Sequence, residues 1–387
     1  MQQRVLLIAN AQSVWVKELI RCIHVPLGHQ VSLLTFNFVS PELEAFYRQT
    51  GTELIKIGQR TGIRGKADKA VKLFAFAAEH CHAYDLIILH SPPHSIQASF
   101  LAKALQRMDC KTITVFWGSD IQAIFKKDAK KMECILKQSS AINLSTEPMR
   151  KAFAALFPAY KAMPIYQANF GSPAFSFIDE AEHKYSRVEC KEHFGLNPQK
   201  MCVAVGYNGK PSQQHIMAIR ALSKLAVEDK RSLQMLIHMG YGGQQDYIRQ
   251  VEAEAEKSGI EYKIIPHMLD MDEIALLRRA TDIMLHAQTN DALSGTVREC
   301  IYAEAILINP TWITYTEFDE MGVSYVKYTS FDDIAGCLRS VLTGKTVIDT
   351  ERNKSLMATR FSWEAVRPAW LDMFEAVALQ NQNSSKR

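Results

Sequence analysis

The sequence has 387 residues, 47% of them hydrophobic and 22% charged, with a formal net charge of +4. That length exceeds one ordinary core and that composition excludes a disordered chain, so two folded domains are expected. Eight cysteines, at 22, 81, 110, 134, 190, 202, 300 and 337, form no CxxC pair and no metal-ligand spacing, and no apolar run approaches the roughly 18 residues that cross a bilayer, which excludes a zinc module and a membrane-spanning chain.

The N-terminal MQQRVLLIAN runs straight into a short apolar strand, Arg4 to Ala9, without a signal peptide. A cytoplasmic protein with reduced thiols is expected, whose membrane contact is peripheral, at the inner face of the plasma membrane. A helical pattern follows over Val14 to Ile23, then strands at Val31 to Phe36 and Leu54 to Ile57 and a helix over about Asp68 to His80. Leu86 to Leu89 ends in the loop His90-Ser-Pro-Pro-His94, and Thr112 to Phe116 ends in Trp117-Gly-Ser-Asp120. Strand-to-helix loops of a parallel sheet share one edge, so His90, His94, Trp117 and Asp120 are expected to converge there. Asp120 is the candidate general base and His94 a second catalytic candidate; His90 and Trp117 are candidates for lining an acceptor site, although turn capping and plain packing explain the same residues. Residues 169–197 show no clear period and are expected to connect the domains.

Beyond them Met201 to Val205 ends in Gly206-Tyr-Asn-Gly-Lys210-Pro-Ser212, and Gln234 to His238 ends in Met239-Gly-Tyr-Gly-Gly243, with Tyr262 to Ile265 and Pro266-His267 after a charged helix. Repeated glycine turns at strand ends predict a second doubly wound domain. The stretch Thr281 to Pro310 then reads strand, polar loop, helix and strand. Its helix opens near Ser294-Gly295-Thr296, offering free N–H groups to a phosphate, while Asp291 and Glu299 are suited to accept hydrogen bonds from ribose hydroxyls. A second reading stays open: Thr296-Val-Arg-Glu299 is also a capping box, in which Glu299 only satisfies a backbone N–H. Asp270-Met-Asp272 has the spacing of a metal-binding DxD but precedes a helix, and is read as a cap.

Charge is uneven, with 21 Lys and Arg against 14 Asp and Glu in residues 1–180 and 24 against 27 in the remainder. Two clusters supply the excess: Arg60, Arg64, Lys66, Lys69 and Lys72, and Lys126, Lys127, Lys130, Lys131 and Lys137. Beside apolar residues such as Phe74 and Ile135 they suit an anionic membrane surface, or else a solvated helix face; no nucleic acid is expected, since no binding module accompanies the charge.

The order of strand, glycine turn, helix, Met-Gly-Tyr-Gly-Gly turn, the helix Glu273 to Asp282 and the element Asp291-x7-Glu299 resembles the donor half of retaining GT-B glycosyltransferases of family 4. Gly206-Tyr-Asn-Gly, His238-Met-Gly-Tyr, the stretch Asn309 to Val326 and Trp117-Gly-Ser-Asp120 are also similar to bacterial transferases that move 4-acetamido-4,6-dideoxygalactose from its TDP-activated form onto a lipid-linked oligosaccharide of enterobacterial common antigen. The resemblance implies an α/β protein with two Rossmann-like doubly wound domains facing a cleft: an acceptor domain over 1–175, a nucleotide-sugar donor domain over 176–360, and a helix and tail over 361–387 that cross back to the first. Asp291 departs from the family's glutamate, Glu304 and Ile306 replace its glycine and proline, and its usual Arg/Lys phosphate pair is out of register, with Lys210 the nearest substitute.

The donor-binding set implied is Gly206, Asn208, Lys210, Ser212, Gly240, Tyr241, His267, Asp291, Ser294, Gly295, Thr296 and Glu299. The expected activity is transfer of a sugar from a UDP- or TDP-linked donor to a glycan or lipid-linked glycan of the cell envelope, with no metal and no cofactor. A nucleotide-sugar epimerase of the same fold and a degenerate nucleotide-sugar-binding protein are the alternatives. A dinucleotide-dependent dehydrogenase is disfavoured because Ala9-Asn-Ala-Gln-Ser13 carries no glycine fingerprint.

Overall fold

The computed structural model describes residues 2–379 apart from 59–61, 94–95, 123–125 and 292; the side chains of 62–64, 66, 96, 119, 122 and 126–128 also lie outside the described set. His94 and Arg60, and the side chains of Arg64, Lys66, Lys126 and Lys127, therefore fall outside the described set. The chain divides into two compact units, one of residues 1–171 with 363–387 and one of residues 172–362.

In the first unit the strands are β1 (Arg4–Ile8), β2 (Gln30–Thr35), β3 (Glu53–Lys56), β4 (Leu86–His90), β5 (Thr112–Val115), β6 (Ala141–Asn143) and β7 (Ile165–Tyr166). They pair in parallel in the order β3-β2-β1-β4-β5-β6-β7, with Val5 opposite both Val31 and Leu86. A parallel sheet is covered on both faces, which explains why RVLLI and LIILH are unbroken apolar runs rather than alternating ones. Alternate side chains go to opposite cores. Leu6, Ile8, Ile87 and Leu89 pack with residues of the helices Gly62–Glu79, Ile96–Met108 and Lys126–Leu136, whereas Val5, Leu7, Leu33 and Ile88 pack with Val16 and Leu19 and with Trp370 and Phe374. Those last two lie on the helix Trp363–Leu379, whose buried Trp370 indole donates to the Asn169 carbonyl at 2.8 Å, so the final helix belongs to the first unit.

The second unit repeats the plan with β8 (Met201–Val205), β9 (Leu233–His238), β10 (Glu261–Ile265), β11 (Ile283–Leu285), β12 (Ile306–Pro310) and β13 (Val326–Tyr328), ordered β10-β9-β8-β11-β12-β13 and parallel throughout. In both sheets the winding reverses beside the first strand, between β1 and β4 and between β8 and β11. A doubly wound sheet leaves its ligand crevice at that point, outside the carboxyl ends of the strands.

Residues 169–197 are not the aperiodic connection the composition suggested. Ala174–Lys184 and Arg187–His193 are helices of the second unit. Ala174, Phe175, Ile178 and Ala181 form a buried stripe at helical spacing, and Ser186 with Glu189 forms a capping box that starts the second helix.

Candidate functional site

The loops after β8, β9, β10 and β11 lie at the carboxyl edge of the second sheet and hold most of the residues singled out above. Two glycine turns meet there backbone to backbone: the Gly209 N–H donates to the Tyr241 carbonyl at 2.8 Å, and a Cβ on Gly209 would stand 2.6 Å from the Gly243 Cα. Gly240 faces the backbone of His267, where a Cβ would come within 2.1 Å of the carbonyl oxygen. Only glycine permits these approaches. Asn208 is buried and accepts from the Lys210 N–H at 2.9 Å, while the Tyr241 phenol meets the Asn208 side chain. The Lys210 stem crosses Gly242, and its exposed ammonium pairs with no carboxylate among the described residues. Ser212 fixes the β11 loop through its carbonyl, which accepts from the Thr289 N–H at 2.9 Å. His267 is exposed.

The helix after β11 is Gly295–Tyr302, with Ser294 as its N-cap and no side-chain cap. Thr296 is thus the second residue inside the helix, and the capping box expected from Thr296 and Glu299 does not form. Glu299 turns instead to a residue that sequence reasoning missed: Arg278 Nε donates to Glu299 Oε2 at 3.1 Å, and Arg278 Nη2 donates to Thr296 Oγ1 at 3.3 Å. Both partners of this ion pair are nearly buried, with side-chain exposures of 6% and 11%. The Arg278 value is raised: burial, the largest influence, acts to lower it, but Cys300, Glu299 and Tyr241 outweigh burial together. As Arg278-Arg279 at the end of the helix Met271–Ala280, it reads in sequence as a pair of cations complementing a helix C-terminus. That helix begins as expected, with Asp270 and Glu273 in a capping box.

Asp291 is held by another set. The Tyr315 hydroxyl and the Ser294 N–H, the latter at 3.2 Å, both donate to Asp291 Oδ2, and His286 Nε2 stands 3.8 Å away. The tautomer of His286 follows from its neighbour. Asn309 Nδ2 donates to the Pro310 and Ile313 carbonyls at 3.0 and 2.9 Å, so Asn309 Oδ1 is an acceptor and His286 Nδ1, 2.9 Å from it, carries the proton. The Nε2 lone pair is therefore turned toward Asp291. Burial lowers the His286 pKa against the opposing pull of Asn309 and Asp291, which keeps the ring neutral. Tyr207 and Tyr315 stack beside it, and the Tyr207 hydroxyl and Gln213 amide both meet Gln288.

In the first unit, β4 and β5 bring His90, Trp117 and Asp120 together. The Trp117 indole N–H donates to His90 Nδ1 at 3.3 Å. Asp120 accepts from the backbone N–H groups of Trp117, Gly118 and Ile121 at 2.8 to 3.0 Å, and from the Ser91 hydroxyl. Burial raises its pKa against those hydrogen bonds. Its lone pairs are spent on closing the loop, which is the geometry of turn capping rather than of a base waiting for a substrate proton.

No protein-family model and no curated protein matches this sequence. The fold has clear relatives: two parallel Rossmann-like units make this an α/β chain with the architecture of GT-B glycosyltransferases. A glycosyltransferase from Rickettsia africae superimposes with a TM-score of 0.76 at 12% identity, covering 97% of this chain and 98% of that one. Anabaena HepE, solved in complex with UDP and glucose, gives 0.70 at 16% identity over 97% and 100% of the two chains. Sucrose-phosphate synthase from Thermosynechococcus elongatus gives 0.70 at 12% over the whole of both.

Proposed function

We propose that the chain is a glycosyltransferase that binds a nucleotide-diphosphate sugar at the carboxyl edge of the second sheet and passes the sugar to an acceptor held by the first unit. The observation that carries this reading is the pair of held carboxylates, Asp291 and Glu299, flanking the start of the helix Gly295–Tyr302. Arg278 Nε donates to Glu299 Oε2, which leaves Oε1 for a ribose hydroxyl, while Asp291 is aimed by Tyr315 and Ser294 and suits a sugar hydroxyl. The helix N–H groups and the Lys210 ammonium offset the diphosphate charge. UDP in the HepE complex and the resemblance to TDP-dependent enzymes both favour a pyrimidine nucleotide. The resemblance to family 4 supports transfer to a lipid-linked or cell-envelope glycan at the cytoplasmic face of the membrane as the reading we adopt.

A thermal-shift and calorimetry series with UDP, TDP and GDP tests this. UDP or TDP at about 100 times its dissociation constant should add roughly 2.7 kcal/mol of stability. No shift with any nucleoside diphosphate sinks the reading.

A further inference from the structure

The first unit contains a cavity of about 500 Å³ at its own switch point, reached by the loops after β1, β2, β4 and β5. Its wall is mixed, with Phe36, Leu73 and Phe100 among the apolar lining residues and Asn10, Asn37 and Gln97 among the polar ones. Such a cavity has the size and lining of a small-molecule site.

His90 borders it with its ring packed against Trp117 and Phe170 and its Nε2 buried, so that nitrogen is not offered to the cavity. Lys69 is the cation of the lining. Its stem is folded across Gly58, where a Cβ would lie 2.4 Å from the Lys69 Cγ, and its ammonium donates to the Phe36 carbonyl at 3.4 Å. That one long bond leaves most of its three N–H groups unspent. Lys72, one turn further along the same helix, is paired with Asp68 at 3.0 Å, so the two lysines are not equivalent. Ser91, which also lines the cavity, is held at φ +47° in the left-handed region, a strain that accumulates where a loop is shaped for a ligand.

We propose that this cavity binds an amphiphilic ligand carrying one oxyanion, with Lys69 as the group that selects the anion and the apolar part of the wall taking the apolar body. On the transfer reading above, on which this assignment rests for its role, the ligand is the acceptor. A ligand with an oxyanion meets the unspent Lys69 donors, and a purely apolar one does not.

The test is calorimetry on the full chain with hexyl phosphate, hexanol and inorganic phosphate, repeated with Lys69→Met, Lys69→Arg and Lys72→Ala. Lys69→Met keeps the stem over Gly58 and removes only the charge. Hexyl phosphate should bind at least about tenfold more tightly than hexanol or inorganic phosphate, and Lys69→Met should weaken it roughly tenfold to a hundredfold. Lys69→Arg should keep most of the affinity and Lys72→Ala all of it. Equal binding of hexanol and hexyl phosphate, unchanged affinity in Lys69→Met, or no hexyl phosphate binding overturns the assignment. UDP and TDP titrated into the same samples separate the two readings. Nucleotide binding without hexyl phosphate binding removes this cavity assignment alone, and hexyl phosphate binding without any nucleotide binding removes the transfer reading alone.

Discussion

Glu299 is buried against Arg278, and the proposed transfer reading gives the same side chain a binding role beside this structural one. Glu299→Gln leaves a buried guanidinium without its counter-charge, and on the transfer reading it also weakens the contact proposed with the ribose. The unfolding midpoint should fall, and, measured well below that midpoint, calorimetric affinity for UDP or TDP should drop roughly tenfold to a hundredfold. Lost stability with unchanged nucleotide affinity would make the pair purely structural. Asp120 stands differently. Asp120→Asn turns an amide N–H2 or a single oxygen toward three backbone donors, which costs about 1 to 3 kcal/mol of stability. Turnover should fall with the loop, and the pH profile of the remaining activity should keep its shape. An acid limb displaced by the substitution would restore Asp120 as a base.

At the scale of elements, the glycines divide into those that allow loops to pack backbone to backbone at the sheet edge and those that only cost entropy. Gly240→Ala drives a methyl into the His267 carbonyl, so the loops after β9 and β10 must part and nucleotide binding should be lost. Gly336 lies exposed in the helix Ile334–Leu342 with nothing within 4 Å of a Cβ, and Gly336→Ala should stabilise by roughly 0.5 to 1 kcal/mol. Unfolding midpoints of the two variants, with UDP binding on the same samples, check both outcomes; normal binding by Gly240→Ala would show that these loops do not hold the nucleotide. The same contrast explains what could be read in advance. Buried parallel strands announce themselves as apolar runs, and glycine turns after β8 and β9 are local in sequence, so the doubly wound plan was legible from the chain. Arg278 and Glu299 are 21 positions apart and on different helices, and His286 meets Tyr315 across 29. No local pattern marks such partners. The helices at 174–193 were missed because short polar stretches hid a stripe of only four buried residues, and Thr296 was misplaced because a capping-box pattern fits any helix start shifted by two residues.

Across the whole molecule the histidines set the dependence on acid. Burial pushes His90 down to about 3 and His215 and His238 to about 4, and it lowers His24 far below its usual value with help from His29 and His90. Each is neutral in the folded chain at pH 5 and protonated in the unfolded one, whose histidines titrate near 6.5. The unfolded state then binds more protons, so stability is complete above about pH 6.5 and declines as pH falls toward 4. Asp120 works in the opposite sense, because a raised carboxyl value makes the folded state the better proton binder; its contribution is present at low pH and is lost as pH rises through the folded value. These four histidines, together with His286, which burial lowers likewise, outweigh one carboxyl in the window between pH 6.5 and 4. For His215 alone the loss over that window is on the order of 3 kcal/mol. Proton uptake on unfolding at pH 5, obtained from the slope of stability against pH, should therefore fall by close to one proton in His215→Gln. An unchanged slope would mean that His215, whose Nδ1 meets the Tyr247 hydroxyl at 3.2 Å behind Gly206, is already charged in the folded protein.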